Sequence, residues 1–203
     1  NALRLLSDWH RELDAADHEL DELAQLAKQS FNRRFWFEGG GCLYDIVDGP
    51  GGDDSSCRPN QILSFSLRYP ILDESKWSTV LDVVTDRLLT PYGLRTLDEH
   101  HPDFKAQYFG DLRARDAAYH QGTVWAWLIG PFIDAWLRVH PGRHDQARAF
   151  LNAFDGHLSD AGVGSISEIF DATPPYAPRG CIAQAWSVAE VLRCLTKVTA
   201  PSM

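Results

Sequence analysis

The sequence lacks several features that would place it in a common class of proteins. It has no apolar run of the ~18–20 residues that a membrane-spanning helix needs, so we expect no membrane partner. Basic residues are few, because 19 lysines and arginines stand against 28 aspartates and glutamates. The resulting net charge of −9 argues against a nucleic-acid partner, since phosphate contacts need clustered basic side chains.

Cysteine is scarce, and its spacing matches no metal or redox motif. The four cysteines are Cys42, Cys57, Cys181 and Cys194. No two of them form a C-x-x-C pair, so reduced thiols in a cytoplasmic protein are the simpler expectation. There is no signal peptide, but the chain opens with NALRLL and without an initiator methionine, which indicates a piece of a longer protein.

Motifs for metal, nucleophilic or phosphate chemistry are also missing. His140 and His144 have i, i+4 spacing, but Pro141 and Gly142 interrupt the helix that would make them a metal-binding face. No G-x-S-x-G elbow occurs, and the glycine run at 39–41 fits no phosphate-binding fingerprint. We therefore predict no metal site and interpret those glycines as turns.

Apolar periodicity of 3.6 residues is present almost throughout the chain. It predicts about seven helices, over residues 3–13, 17–35, 59–67, 74–89, 120–140, 143–158 and 182–196. A β-like run at 43–47 is short, and two long polar loops cover residues 91–119 and 159–180. We predict an all-α fold without a substantial sheet, built from stacked helical hairpins with a site at one end.

The stretch from Gly110 to Trp136 organises this prediction. Its first part is polar, and its second part places apolar side chains on two faces of one helix. Gly130 and Pro131 are expected to bend that helix, because proline removes a backbone donor. A polar loop on a buried helix suits a binding site, but an ordinary core helix entered by a polar loop fits as well.

Glu168 is the candidate acid–base residue. It lies in the segment GSISEIFDATPPYAPRGC, where Ser165, Ser167 or Arg179 are candidate hydrogen-bond partners for its carboxylate. The chain also has seven tryptophans, and aromatic faces near carboxylates are what glycoside hydrolysis needs. The alternatives are a capping or salt-bridging surface acid for Glu168 and plain core positions for the tryptophans.

Four ordered segments carry a family resemblance. They are RPNQILSFSL (58–67), LLTPYGLRTL (88–97), RARDAAYHQGTVWAWLIGPF (113–132) and SISEIFDATPPYAPRGCIAQAWSVAEVLR (165–193). They closely resemble the C-terminal amylo-α-1,6-glucosidase domain of bacterial and archaeal glycogen debranching enzymes. The resemblance implies an (α/α)6 toroid that hydrolyses α-1,6-linked glucose at glycogen branch points, with inversion, without a cofactor, and with Glu168 as the general base.

The same segments contain residues that match motifs resembling the family's substrate pocket. These residues are Arg58, Asn60, Gln61, Arg115, Asp116, Tyr119, His120, Gln121, Trp125 and Trp186. The resemblance implies that they bind glycogen or a branched α-glucan oligosaccharide.

The chain departs from the family in one respect. The family's general acid is an aspartate in a Trp-Met-Asp run, and no such run exists here, since Met203 is the only methionine. Seven predicted helices in place of twelve would form roughly half a toroid. We therefore expect residues 1–203 to be a partial domain, the C-terminal half, which carries the base without the acid. Alone it should be inactive, and it should self-associate or pack against a missing N-terminal half.

Two other interpretations stay open. In the first, the chain is a non-catalytic carbohydrate-binding or scaffolding half-domain. In the second, it belongs to a related helical-toroid enzyme that acts on another α-glucoside. An upstream reading frame that supplies the missing aspartate would favour the debranching enzyme over the scaffold.

Overall fold

The computed structural model describes residues 1–14 and 18–199, and helices make up most of its regular structure. The α-helices are α1 (Ala2–Glu12), α2 (His18–Arg34), α3 (Leu63–Ser66), α4 (Trp77–Arg87), α5 (Leu112–Ala118), α6 (Ile129–Val139), α7 (His144–Ala149), α8 (Asn152–His157) and α9 (Ala185–Thr199). Helices α1, α2, α4, α6 and α9 overlap the positions that the apolar periodicity predicts. Asp17, where the second predicted helix begins, lies outside the described residues.

The prediction of an all-α fold is not confirmed, because a five-stranded sheet of short strands is present beside the predominant helices. The strands are β1 (Trp36–Phe37), β2 (Cys42–Leu43), β3 (Ile46–Gly49), β4 (Gly52–Asp54), β5 (Leu89–Thr90), β6 (Gly93–Arg95), β7 (Val124–Trp125), β8 (Ile169–Phe170) and β9 (Pro178–Arg179). Strands β1–β2 and β3–β4 form two small hairpins, and β5 to β9 form a five-stranded sheet in sequence order. All its neighbours are antiparallel. Strands of two or three residues are too short to show the alternation by which a sequence reveals a sheet.

The sheet joins segments that the sequence suggested were loops or a helix. In its centre, Trp125 pairs with Leu94 on one side and with Ile169 on the other. Residues 124–128, predicted as helix, instead form β7 and a 3-10 turn at Ala126–Leu128. Helix α6 therefore begins at Ile129, and Pro131 falls in its first turn. A missing backbone donor is tolerated there, so Pro131 removes no hydrogen bond from the middle of the helix.

Two other predicted helices are also broken. The segment predicted at 59–67 is a 3-10 turn, Pro59–Ile62, followed by the single turn of α3. The segment predicted at 143–158 is divided between α7 and α8. Conversely, the predicted loop at 91–119 contains α5, which begins where Asp111 Oδ1 accepts a hydrogen bond from the Ala114 amide at 2.8 Å.

Helix α6 forms the centre of the core and supports the sheet. It packs against α3, α4 and α9, with Phe132 and Ile133 fully buried. Gly130 allows the close approach of α9, because a Cβ atom there would lie 1.7 Å from Glu190 Oε2. Asp134 then pairs with Arg193 and Lys197 of α9 at 2.8 and 2.6 Å. The rigid α6–α9 pair holds β7 and the segment before α9 in place.

The α1–α2 hairpin exposes a row of large apolar side chains. They are Leu6, Trp9, Leu13, Leu23 and Leu26. Packing of a partner segment or a second copy along these helices stays a prediction. In the described part of the chain, no helix combines the length and apolarity needed to cross a membrane.

Candidate active site

The backbone of Glu168 is fixed at the start of β8. Its amide donates to the Cys181 carbonyl at 2.9 Å, and its carbonyl accepts from the Ala126 amide at 3.4 Å. The residue is therefore clamped between the chain that follows β9 and the chain that follows β7. Only 8% of Glu168 is exposed, so its carboxylate depends on protein partners.

Three hydrogen-bond donors surround the Glu168 carboxylate. Oε1 accepts from the Tyr119 hydroxyl at 2.7 Å and from Gln184 Nε2 at 3.3 Å. Oε2 accepts from the Cys181 amide at 3.1 Å. The alternative of a surface acid for Glu168 is therefore wrong. Because all three partners donate, the group is held as an acceptor, which is what a general base requires.

The sequence suggested other partners for this carboxylate. Arg179 instead donates to Asp171, with its Nη2 at 2.9 Å and its Nε at 3.1 Å from Asp171 Oδ2. These hydrogen bonds raise the pKa of Arg179 above its ordinary value. Ser167 contributes its backbone amide, which donates to His157 Nε2 at 3.1 Å. Burial lowers the pKa of His157, so a neutral imidazole accepts this bond and anchors the chain just before Glu168.

Gly180 makes room for the carboxylate. Its φ of +67° lies in the left-handed region, and a Cβ atom there would lie 2.4 Å from Glu168 Oε2. Glycine is the residue that tolerates both the dihedral and the close approach. The next residue, Cys181, can then turn its amide toward the same oxygen.

Tyr119 connects the Glu168 carboxylate to the polar entrance of the central segment. Its carbonyl accepts from Thr123 Oγ1 at 2.7 Å and from Trp125 Nε1 at 3.0 Å. Burial, together with the hydrogen bond to Glu168, raises the pKa of the Tyr119 phenol. The phenol therefore stays protonated and donates to the carboxylate at neutral pH.

Aromatic rings lie on one side of the Glu168 carboxylate. The ring centroids of His120 and Trp125 lie 5.1 Å apart with an interplanar angle of 12°, and Trp125 contacts Trp186 at 5.9 Å. Burial, reinforced by the charge of Arg58, lowers the pKa of His120 and favours the neutral ring. Trp186 is 48% exposed, so it is not a plain core residue.

Arg58 holds the neighbouring segments together. Its Nη2 donates to Gln121 Oε1 at 2.7 Å, and its Nη1 donates to the carbonyls of His120 and Thr96 at 2.8 and 3.1 Å. Its Nε lies 3.3 Å from Asp45 Oδ2. The guanidinium therefore fixes the backbone on which Tyr119 and His120 sit.

The remaining predicted pocket residues differ in their exposure. Asn60 donates to Asp45 Oδ1 at 3.2 Å beside a cavity that Arg58 and Tyr44 also line. Gln61 is buried and bonds within the protein, since its Nε2 donates to the Arg58 carbonyl at 3.0 Å.

The two predicted residues of α5 lie nearer to the solvent. Arg115 lines an open depression together with Tyr108 and Gly180, and Asp116 is exposed.

Two side chains of the site escaped the sequence analysis. Gln184 lies in the matched segment and its amide touches the base, but nothing in one sequence separates it from a surface glutamine. Asp45, which pairs with Arg58, lies in the short β-like run at 43–47 and was not singled out. Residues 1–14 and 18–199 contain no group of three or more His, Cys, Asp or Glu side chains arranged to hold a metal ion.

Comparison with known proteins identifies the family. The sequence model described as Amylo-alpha-1,6-glucosidase matches residues 1–193. The glycogen debranching enzyme of Saccharomyces cerevisiae is 27% identical over 121 residues, which cover 56% of this chain and 8% of the yeast protein.

A solved structure supports the fold. The GH63 mannosylglycerate hydrolase from Thermus thermophilus, in complex with Tris and D-glycerate, superimposes with a TM-score of 0.67 and 15% sequence identity. The match covers 97% of this chain and 43% of that one, so the chain spans less than half the length of either relative. Because the family match extends over nearly all of the sequence, the chain belongs to the amylo-alpha-1,6-glucosidase family.

Proposed function

We propose that this chain carries the general base of an inverting glucosidase that removes α-1,6-linked glucose at glycogen branch points. The observation that carries the proposal is the Glu168 carboxylate, buried among three donors and next to the ring cluster of Tyr119, His120 and Trp125. The substrate is glycogen or a branched α-glucan oligosaccharide. Four free cysteines fit a cytoplasmic location, where the thiols stay reduced.

The proposed reaction needs two carboxyl groups with opposite tasks. Glu168 accepts a proton from a water that attacks the sugar from one face, while an acid protonates the leaving oxygen on the other face. In inverting enzymes these two groups stand ~6.5–9.5 Å apart, which leaves room for the water. Among the described residues, the Glu168 carboxylate has hydrogen-bond donors but no ion pair with a cation such as arginine. These surroundings suit the role of general base.

The acid comes from outside these 203 residues. The sequence has no Trp-Met-Asp run, and Asp116, the nearby carboxylate of the matched segment, is exposed on α5. Residues 1–203 are then a partial domain that completes an α/α toroid with further helices, and alone they do not release glucose. Loss of one proton-transfer partner reduces the rate by about 10²–10⁴-fold.

The other predicted pocket residues divide between substrate contact and support. Trp125, Trp186 and His120 offer ring faces to the apolar face of a glucose unit. Asn60 and Arg115 lie at open cavities and have polar groups for hydroxyls. Arg58 and Gln61 act through the backbone carbonyls to which they donate, and Gln121 supports Arg58 by accepting from its guanidinium.

The experiment that tests this function needs a catalytically complete protein that carries these residues. Proton NMR of the first product released from an α-1,6-glucosyl dextrin distinguishes the two stereochemical outcomes. An inverting enzyme releases β-glucose first, and the Glu168→Gln protein should release almost none. Initial release of α-glucose would contradict inversion, and near-normal release by the variant would contradict the role of Glu168.

A second candidate function is carbohydrate binding without catalysis, and the missing Trp-Met-Asp run favours it. Retarded migration of the isolated chain in a glycogen-containing gel fits both functions. Absence of hydrolysis in the complete protein as well would favour the binding module.

A further inference from the structure

The two oxygens of the Glu168 carboxylate have different surroundings. Oε1 has two donors, the Tyr119 hydroxyl at 2.7 Å and Gln184 Nε2 at 3.3 Å. Oε2 has one, the Cys181 amide at 3.1 Å. An ionised carboxylate offers about four acceptor sites, two on each oxygen. Both sites of Oε1 are therefore occupied, whereas the described residues supply a donor to only one site of Oε2.

We propose that Oε2 of Glu168 is the atom that takes the proton from water, and that Tyr119 and Gln184 are positioning residues that hold Oε1. This inference rests on the proposed function, because it assigns the proton transfer within that reaction. It also gives Tyr119 a role different from the substrate contact that the family resemblance implies.

The Tyr119 hydroxyl is committed to the carboxylate. The backbone of Tyr119 is held by Thr123 and Trp125, whose side chains both donate to the Tyr119 carbonyl. Its raised pKa keeps the phenolic proton in place, so the hydroxyl donates to Oε1 throughout the neutral range. The proton of this hydroxyl is therefore not free to bind a sugar oxygen.

The amide of Gln184 is oriented by its own backbone environment. Its Oε1 accepts from the Ala185 amide at 3.1 Å, so its Nε2 is the end that faces Glu168. Its backbone amide donates to the Ile166 carbonyl at 2.9 Å, which ties the residue to the chain just before the base. The hydrogen bonds to Ala185 and Glu168 therefore distinguish the oxygen from the nitrogen of the Gln184 side-chain amide.

The proposed reaction moves two protons, one from water to Glu168 and one from the acid to the leaving oxygen. One water proton moves to Oε2 as the water oxygen forms a bond to the anomeric carbon. The bond between that carbon and the glycosidic oxygen breaks, its electron pair stays on the oxygen, and the acid's proton joins it. Tyr119 and Gln184 keep their protons throughout.

Amide NMR of the 203-residue chain tests which oxygen is protonated, and it does not require activity. The Cys181 backbone amide reports on Oε2, and the Gln184 side-chain amide reports on Oε1. When acid protonates Glu168, the amide that donates to the protonated oxygen loses hydrogen-bond strength, and its proton resonance moves upfield. We expect the larger upfield shift at Cys181. A larger shift at Gln184 would overturn the assignment.

Three variants make the test specific. Glu168→Gln should abolish the acid transition at both amides, which separates it from the titration of the nearby His120. Tyr119→Phe vacates a site on Oε1, so the Gln184 shift should grow to equal or exceed that of Cys181. Tyr108→Phe is the matched control, because its ring contacts Tyr119 at 5.6 Å and the larger Cys181 shift should persist. An unchanged pattern in Tyr119→Phe would contradict its positioning role. If that variant does not fold, the wild-type titration alone still decides.

Kinetics of a catalytically complete protein separate this inference from the proposed function. Tyr119→Phe should lower kcat, leave KM near its normal value and move the acidic limb of the kcat/KM profile to higher pH. A raised KM with an unmoved limb would make Tyr119 a substrate contact and overturn the positioning role. The proposed function itself would fail in a different way, through normal turnover by Glu168→Gln.

Discussion

The indole rings of Trp125 and Trp186 lie 5.9 Å apart between centroids and are tilted by 59°. Trp125 is buried in the sheet, whereas Trp186 is 48% exposed on the first turn of α9. If the pair binds a glucose unit, Trp186→Ala should weaken binding to glycogen by about tenfold, which corresponds to about 1.4 kcal/mol. Affinity electrophoresis of the isolated chain in glycogen-containing gels measures the change.

Trp9→Ala provides the matched control for this substitution. Trp9 is 57% exposed on α1, within the apolar row of the α1–α2 hairpin. Its removal should leave glycogen mobility unchanged, although it should reduce any self-association. Equal effects of the two substitutions would contradict a specific role for Trp186.

Gly180→Ala tests the space beside the carboxylate. The added Cβ atom would lie 2.4 Å from Glu168 Oε2 and would stand in a left-handed conformation. We expect a loss of about 1 kcal/mol in the free energy of unfolding from the dihedral alone, and about 1–3 kcal/mol more from the clash. Urea denaturation of the purified chain measures the total.

The control for that prediction is Gly164→Ala. Gly164 has a similar φ of +80°, but a Cβ atom there meets nothing within 4 Å, so only the dihedral cost should appear. In a Glu168→Ala background the excess cost at Gly180 should decrease, because the crowded oxygen is gone while the close packing on Ile169 remains. Equal costs at the two glycines would show that the carboxylate does not need this room.

Arg58→Ala should destabilise the chain through the bonds that it makes to Asp45 and Gln121. Because hydrogen bonds to charged groups contribute about 1.5–3 kcal/mol, we expect a loss of about 2–3 kcal/mol. The exposed pair Arg34–Asp48 is the control, and Arg34→Ala should cost about 0–1 kcal/mol. A double-mutant cycle with Asp45→Asn measures the coupling, and additive losses would show that the Arg58–Asp45 contact carries no energy.

His157 should make the stability of the chain depend on pH. Its pKa in the folded chain lies below the ordinary value of 6.5, so the unfolded chain binds the proton first as the pH falls. The free energy of unfolding should therefore be constant above about pH 7 and should decrease below about 6.5. His157→Gln keeps an acceptor for the Ser167 amide and should flatten that decrease.

Urea midpoints measured from neutral to mildly acidic pH follow this dependence. The decrease should not vanish completely in His157→Gln, because the pKa of His120 is also lowered. His18→Gln, at an exposed position that opens α2, serves as the control and should keep the wild-type slope. A slope in His157→Gln identical to that of the wild type would exclude His157 as a source of the pH dependence.

The helices were predictable because their burial pattern is local. In α6, the apolar positions repeat within a few residues, and the same repeat predicts the faces that pack on α3 and α9. The five-stranded sheet was not predictable, since its pairing is not local. Trp125 pairs with Leu94 and Ile169, tens of residues away on either side, and each strand is too short to alternate visibly.

The same distinction applies to the site. Glu168 was recognisable from its glycine- and proline-framed segment and from the family resemblance. Tyr119 was predicted as a pocket residue, but its hydrogen bond to Glu168 was not predicted, and Gln184 was not singled out, because these bonds join separate segments. Arg179, a plausible partner by proximity in sequence, is instead used by Asp171 across the β8–β9 turn. Side-chain pairing of this kind depends on strand register, which one sequence does not specify.

Glucose release shows whether Glu168 acts as the general base. Glucose release from a branched dextrin is measured for a catalytically complete protein that carries these residues and for its Glu168→Gln variant. The amide keeps the shape of the side chain but does not take a proton. For Glu168→Gln, we expect kcat to fall by about 10²–10⁴-fold with little change in KM. A variant that keeps near-normal kcat would contradict it.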